Sequence, residues 1–386
     1  MVDQRRKEDC CGCRACEQAC PTAAIRMKED EKGFFYPQIN EALCTRCGLC
    51  DKVCGFTEDN PFLSSEDPVF FAAIHTNTEV RKQSTSGGLF TALSDQFLEQ
   101  GGVVYGAAYG ENLYVQQGRA ETAEERNRFR NSKYVQSDTN DTFSQVKCDL
   151  ENGRAVMYTG TPCQIASLRT FLRKPYEKLI TIDVVCHGVP SARAWREFLD
   201  LAEKKAGCRV VDANFRNKEI SGWHRPQTKL TYEDGKEHRF FGEQSFFQMF
   251  NHNLFIRPSC LYCKFISYAR PSDISIADYW GIERFRPDFD DNGGVSMILL
   301  NTEKGKALFE SVRDKISAFE TDKEHCWQGR LQGRSYIHPQ TEQFWVEYVN
   351  KGLKYVLIKY TEYSPIRTFW SKVKRKIQRD ILKKDV

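Results

Sequence analysis

The chain has 386 residues, 16 cysteines and a formal net charge of +4. That length predicts a small cysteine-bearing module followed by a larger domain or two, and the mild charge excludes a nucleic-acid-binding class. No run approaches the roughly eighteen consecutive apolar residues of a membrane helix, and so many thiols without an apolar leader point to metal ligation in a reducing cytoplasm.

Two cysteine runs come first. Cys10, Cys13, Cys16 and Cys20 precede Pro21, and Cys44, Cys47, Cys50 and Cys54 precede Gly55. Each run matches the ligand spacing of bacterial-type ferredoxins, in which three close cysteines hold one cluster and the fourth ligates the other. That resemblance implies one [4Fe-4S] cluster on Cys10, Cys13, Cys16 and Cys54 and a second on Cys44, Cys47, Cys50 and Cys20. A zinc site would take two pairs of ligands rather than two runs of four. Cys11 has no place in the pattern and reads as a spectator. Residues 1–56 form this module, with a strand pair around Gly33 packed by Phe34, Phe35 and Tyr36. The polar, proline-bounded stretch 57–68 reads as a linker.

Next comes the loop Ser84, Thr85, Ser86, Gly87 and Gly88, opening a helix on which Leu89, Leu93 and Phe97 share one face before Gly101 and Gly102. Such a loop suits an anion such as a pyrophosphate, because it presents free N–H groups at the positive end of a helix dipole. An ordinary capped helix explains the same residues, and spacing alone favours it.

Residues 155–159 read as a buried strand, 163–173 as an amphipathic helix and 179–185 as a second strand. A parallel crossover follows, with Cys163 and Cys186 at the carboxyl edge of the sheet, where open α/β sheets bind ligands. With Cys260 and Cys263 they make four thiols, a set for a third [4Fe-4S] cluster or for a structural zinc. Cys148, Cys208 and Cys326 read as small buried residues. Further strands are expected at 210–215 and 228–232, as a meander beside the parallel unit. Others are expected at 273–276, ending at Asp278, and at 295–300, with a helix from Glu303 to about Phe319. The tail places Ile366, Trp370, Val373, Ile377 and Ile381 on one face of a basic helix, which suits an anionic membrane surface, a partner, or packing on its own domain.

The segments 84–88, 131–137, 160–164, 183–188, 260–263, 272–281, 290–294 and 299–302 together resemble the beta-subunit family of coenzyme F420 hydrogenases and dehydrogenases. The resemblance runs to about residue 320. It implies FAD beside an iron–sulfur cluster in the large domain, with the Ser84–Gly88 loop and Lys133 in contact with the flavin. The expected fold is α+β: a ferredoxin-like module (1–56), a linker (57–68), a mixed α/β flavin and [4Fe-4S] domain (69–362) and a basic amphipathic tail helix (363–386).

The expected activity is that of a flavin- and iron–sulfur-dependent oxidoreductase. It would pass electrons between reduced ferredoxin, or another redox partner, and a small organic substrate, as in cell-surface polysaccharide biosynthesis. The alternatives are an F420-dependent dehydrogenase or hydrogenase subunit and a pure electron-transfer module. His187 reads either as a hydrogen bond to a cluster sulfur or as a proton relay, and Asp278 as a residue lining the site. Location is expected in the cytoplasm, with the tail offering contact with the inner membrane face.

Overall fold

A computed structural model describes residues 1–363 other than 58, 65, 66, 243, 244 and 334. The tail helix expected over 363–386 lies, from residue 364 onward, outside the described residues. Among those residues no helix is long and apolar enough to cross a membrane.

The N-terminal module carries one hairpin, β1 (Ile25–Glu29) against β2 (Phe35–Ile39), antiparallel with Met27 opposite Pro37. Each cysteine run is bent by two left-handed residues in equivalent places: Gly12 and Arg14 in the first, Arg46 and Gly48 in the second. Alternating backbone handedness turns successive N–H groups toward one point, the geometry that receives anionic centres.

The large domain begins with β3 (Val69–His75), β4 (Val103–Tyr109), β5 (Val115–Ala120), β6 (Val156–Gly160) and β7 (Leu179–Val184). It continues through β8 (Val210–Asn217), β9 (Gln227–Tyr232) and β10 (Glu237–Phe240) to β11 (Ile274–Asp278), β12 (Ser296–Leu300) and β13 (Ile316–Thr321). Eight of these form one sheet in the order β13-β3-β12-β11-β7-β6-β4-β5. Its centre, β11-β7-β6-β4, is parallel, and β6 pairs with β7 through the helix Pro162–Leu172 as a crossover. That helix starts sharply because Thr161 and Gln164 form a capping box with Pro162 at the first position. Since β3 and β11 are both antiparallel to β12, β3 points the same way as the parallel four. The segment after β3, with the Ser84–Gly88 loop, therefore reaches the same carboxyl edge as the ends of β6, β7 and β11.

One expectation is corrected. The helix from Glu303 ends at Glu310, and residues expected to continue it form β13, which covers the open edge of β3. An unpaired edge strand would leave a row of backbone groups without partners, and this pairing overrides helical propensity. The expected meander stands beside the large sheet. Strands β8, β9 and β10 make a separate three-stranded sheet, drawn away by an aromatic core with Trp195, Phe198, Phe246, Phe344 and Trp345.

The module is fastened to the large domain by polar ties. Arg14 pairs with Asp138, Arg193 with Glu29, and the Thr139 hydroxyl donates to Cys13 O at 2.8 Å. The 57–68 stretch is also pinned: the Asn60 amide donates to Gly55 O at 2.8 Å and Ser64 N–H to Arg270 O at 2.9 Å.

Candidate functional site

Three groups of four thiols converge. Burial and the neighbouring Cys13, Cys10 and Cys54 push the Cys16 thiol up. Burial and then Cys13 raise Cys54 to about 11, although Arg5 Nη1 donates to its sulfur at 3.1 Å. Cys20, Cys44, Cys47 and Cys50 line a second cavity of about 310 Å³ closed below by Ile25 and Ile39, with Cys47 exposed. The third group is assembled from three distant segments. Burial first, and then Cys163 and Cys263, push Cys186 to about 12; burial and then Cys186, Cys263 and Cys163 raise Cys260 as well. Thiols that repel one another as thiolates in a desolvated pocket form a donor set that a cationic metal centre relieves.

The third group lines a cavity of about 320 Å³ at the carboxyl edge of the sheet. The same cavity is lined by Ser84, Thr85, Ser86, Gly88, Lys133, His187 and Asp278, so the structure brings these residues to one place. Their groups are not all free. The Ser84 and Ser86 hydroxyls donate to Val80 O and Val295 O, each at 2.7 Å, and Thr85 Oγ1 accepts Ser132 N–H at 3.0 Å. Gly87 passes so close to β3 that an added Cβ would meet Ala73 O at 2.4 Å, and its N–H donates to Ser296 Oγ. Gly88 has φ +89 and caps the helix Leu89–Glu99, leaving first-turn N–H groups with no intrahelical partner beside the cavity.

Lys133 turns its ammonium onto three carbonyls, those of Arg128, Arg130 and Asn131 at 2.8–3.1 Å, and burial lowers its pKa to about 7. Its donors hold the 128–134 turn in shape. His187 makes its hydrogen bond to a backbone carbonyl. Its Nε2 meets Phe250 O at 3.2 Å, and burial, followed by Arg330, lowers its pKa to about 4, so the imidazole is neutral. Desolvation beside an apolar ring wins over proximity to the Cys186 thiol.

Asp278 ends β11 at the cavity wall, where its carboxylate accepts Trp223 Nε1 at 2.7 Å and Arg216 Nη1 at 3.1 Å. Arg216 also reaches the Tyr134 hydroxyl at 3.3 Å and lies over Trp280, which stacks on Trp223 at 4.6 Å. Sequence reasoning named Asp278 but missed its partners Arg216 and Trp223, which no spacing links to it. The Cys11 side chain is buried between Cys13 and Cys163, in an apolar pack with Phe56, Ala166 and Phe265, so it joins two thiol groups rather than standing aside.

Residues 153–324 match the model of the C terminus of the coenzyme F420 hydrogenase/dehydrogenase beta subunit, and residues 9–57 match a 4Fe-4S dicluster domain. An F(420)H(2) dehydrogenase subunit from Methanosarcina mazei is 22% identical over 329 residues, covering 81% of this chain and 85% of that one. A subunit from the ion-translocating oxidoreductase complex of Methanosarcina acetivorans is 42% identical over 45 residues, 12% of this chain; the chain spans 15% of that relative's length. A chain of the F420-reducing [NiFe] hydrogenase complex from Methanosarcina barkeri superposes with a TM-score of 0.47 at 19% identity, over 76% of this chain and 92% of that one.

Proposed function

We propose, for a chain that belongs to the coenzyme F420 hydrogenase/dehydrogenase beta-subunit family, that it exchanges electrons between an F420-type deazaflavin and one-electron carriers. In outline the chain is an iron–sulfur electron-transfer subunit of oxidoreductase type, with a 4Fe-4S dicluster domain at its N terminus. The observation that carries the finer reading is one cavity shared by four thiols and a glycine-bounded helix start. The family relation favours this reading over work on cell-surface polysaccharides.

The residues fit a flavin. The cavity volume is in the range that encloses cofactors, Gly88 and the helix start offer N–H groups to a phosphate, and Asp278 and Tyr134 line the same cavity. Bound there, a flavin such as FAD would supply the conversion between two-electron and one-electron transfer. The protein pairs Asp278 with Arg216, keeps His187 neutral and gathers apolar side chains that exclude water. Cys163, Cys186, Cys260 and Cys263 would hold a third [4Fe-4S] cluster. The exposed Cys47 marks the second thiol group as the port for reduced ferredoxin or another redox partner.

The test is cofactor content and turnover on anaerobically purified protein. The expected result is about twelve irons, three cubanes of four, and one flavin per chain, with oxidation of reduced F420 coupled to viologen reduction. About eight irons with zinc, or no flavin, would refute the reading.

A further inference from the structure

Arg257 is only 1% exposed. Its Nε donates to Cys10 O at 2.8 Å, Nη1 to Gln136 Oε1 at 3.0 Å and Nη2 to Phe35 O at 2.8 Å. Nη2 also lies 3.9 Å from Cys10 Sγ, and the rings of Tyr36 and Phe34 flank the guanidinium at 4.4 and 5.4 Å. Gly12 makes this approach feasible, since a Cβ there would meet Arg257 Nη1 at 2.8 Å. The other fully buried arginines have carboxylates: Arg126 pairs with Asp95 and Arg270 with Asp183. Among the described residues Arg257 has none, and its oxygen partners are neutral. A buried full charge is stable only when paired, so its counter-charge must come from the thiol groups themselves. Arg257 lies beside both: its Nη2 is 3.9 Å from Sγ of Cys10, a member of the first group, and its backbone carbonyl accepts the N–H of Cys260, a member of the third, at 2.9 Å.

We propose that Arg257 is the shared counter-cation of two iron–sulfur clusters, one on Cys10, Cys13, Cys16 and Cys54 and one on Cys163, Cys186, Cys260 and Cys263. It raises the reduction potential of both and makes their junction, packed by Cys11, the crossing between module and large domain. The inference rests on the third cluster proposed above. A positive charge beside a cluster favours the reduced, more negative state, and nearby charge is among the levers that set cluster potentials. The crossing is a one-electron exchange in which one cluster is oxidised as the other is reduced, with no bond or proton involved.

The test is an EPR-monitored redox titration of the full chain carrying Arg257→Met, Arg257→Lys or Gln136→Glu, with iron counted on each. Arg257→Met is expected to lower the reduced-to-oxidised ratio of both clusters at least tenfold at a fixed poise, about 59 mV for a one-electron couple. The cluster on Cys20, Cys44, Cys47 and Cys50 should stay where it is, and Arg257→Lys should recover most of the shift. Gln136→Glu places a carboxylate against Nη1 without removing the arginine and should shift the same two clusters in the same direction. This variant decides the matter if Arg257→Met loses iron. About twelve irons with neither cluster shifted, or with only one, would overturn the proposal alone. About eight irons in the unaltered chain would sink the third cluster and this proposal together.

Discussion

Replacing Gly87 by alanine tests whether the Ser84–Gly88 loop holds a cofactor. Gly87 needs no unusual backbone angle; what it needs is space. A Cβ would meet Ala73 O at 2.4 Å, Ser296 N at 2.7 Å and Ser296 Oγ at 2.9 Å. The first two are backbone atoms of paired strands inside an eight-stranded sheet, so the loop must move rather than the sheet. Its displacement strains the Gly87 N–H bond to Ser296 Oγ at 3.1 Å and the His75 N–H bond to Gly87 O at 2.7 Å. Overpacking of this kind costs about 1–3 kcal/mol and each lost hydrogen bond about 1 kcal/mol, so about 3–5 kcal/mol is at stake if both bonds go. A third of that felt at the helix start would weaken flavin binding about tenfold. The assay is flavin titration into deflavinated protein, with melting and iron content alongside. The expected result is weaker flavin binding and a lower melting temperature at unchanged iron content. Gly329→Ala is the control, since nothing lies within 4 Å of the added carbon. Wild-type flavin affinity together with wild-type melting in Gly87→Ala would refute the argument.

Asp278→Asn leaves the buried Arg216 without its carboxylate, and two further nitrogens of that guanidinium already lack partners among the described residues. A loss of about 3–5 kcal/mol is expected by denaturant titration, with turnover reduced more than flavin content; wild-type stability would count against the ion pair. Lys133→Met removes the donors to the carbonyls of Arg128, Arg130 and Asn131. Because the folded pKa of about 7 lies below the ordinary lysine value, the unfolded chain binds the extra proton between the two. The burial penalty is therefore complete below pH 7 and lifts as pH rises toward about 10.4, so wild type should gain on the variant over that window. A stability difference that is flat with pH would show that the lysine is not desolvated. Cys260→Ser should remove about four irons while the EPR signals of the two ferredoxin-type clusters persist; an unchanged iron count would exclude Cys260 as a ligand that a third cluster needs.

The sequence by itself determined the two cysteine runs and the strand–helix–strand unit around Cys163 and Cys186. The reason is local. Three ligands to one cluster must sit on one tight loop, so their spacing is written in consecutive residues, and a capped amphipathic helix between two apolar runs is equally short-range. Only the tertiary structure decided which side chains share a space. Arg257 lies 247 residues from the Cys10 carbonyl it grips, and nothing in the sequence tells a buried arginine from a surface one. The Asp278–Arg216–Trp223 assembly depends on where a separate three-stranded sheet docks, and the placement of Cys11 on how the module packs against the large domain. Residue 303 onward shows the same limit, since helical periodicity yielded to the need of β3 for an edge partner. Ligand reach and helix periodicity act over a few residues and leave a pattern; burial, charge pairing and edge closure act between distant segments and leave none.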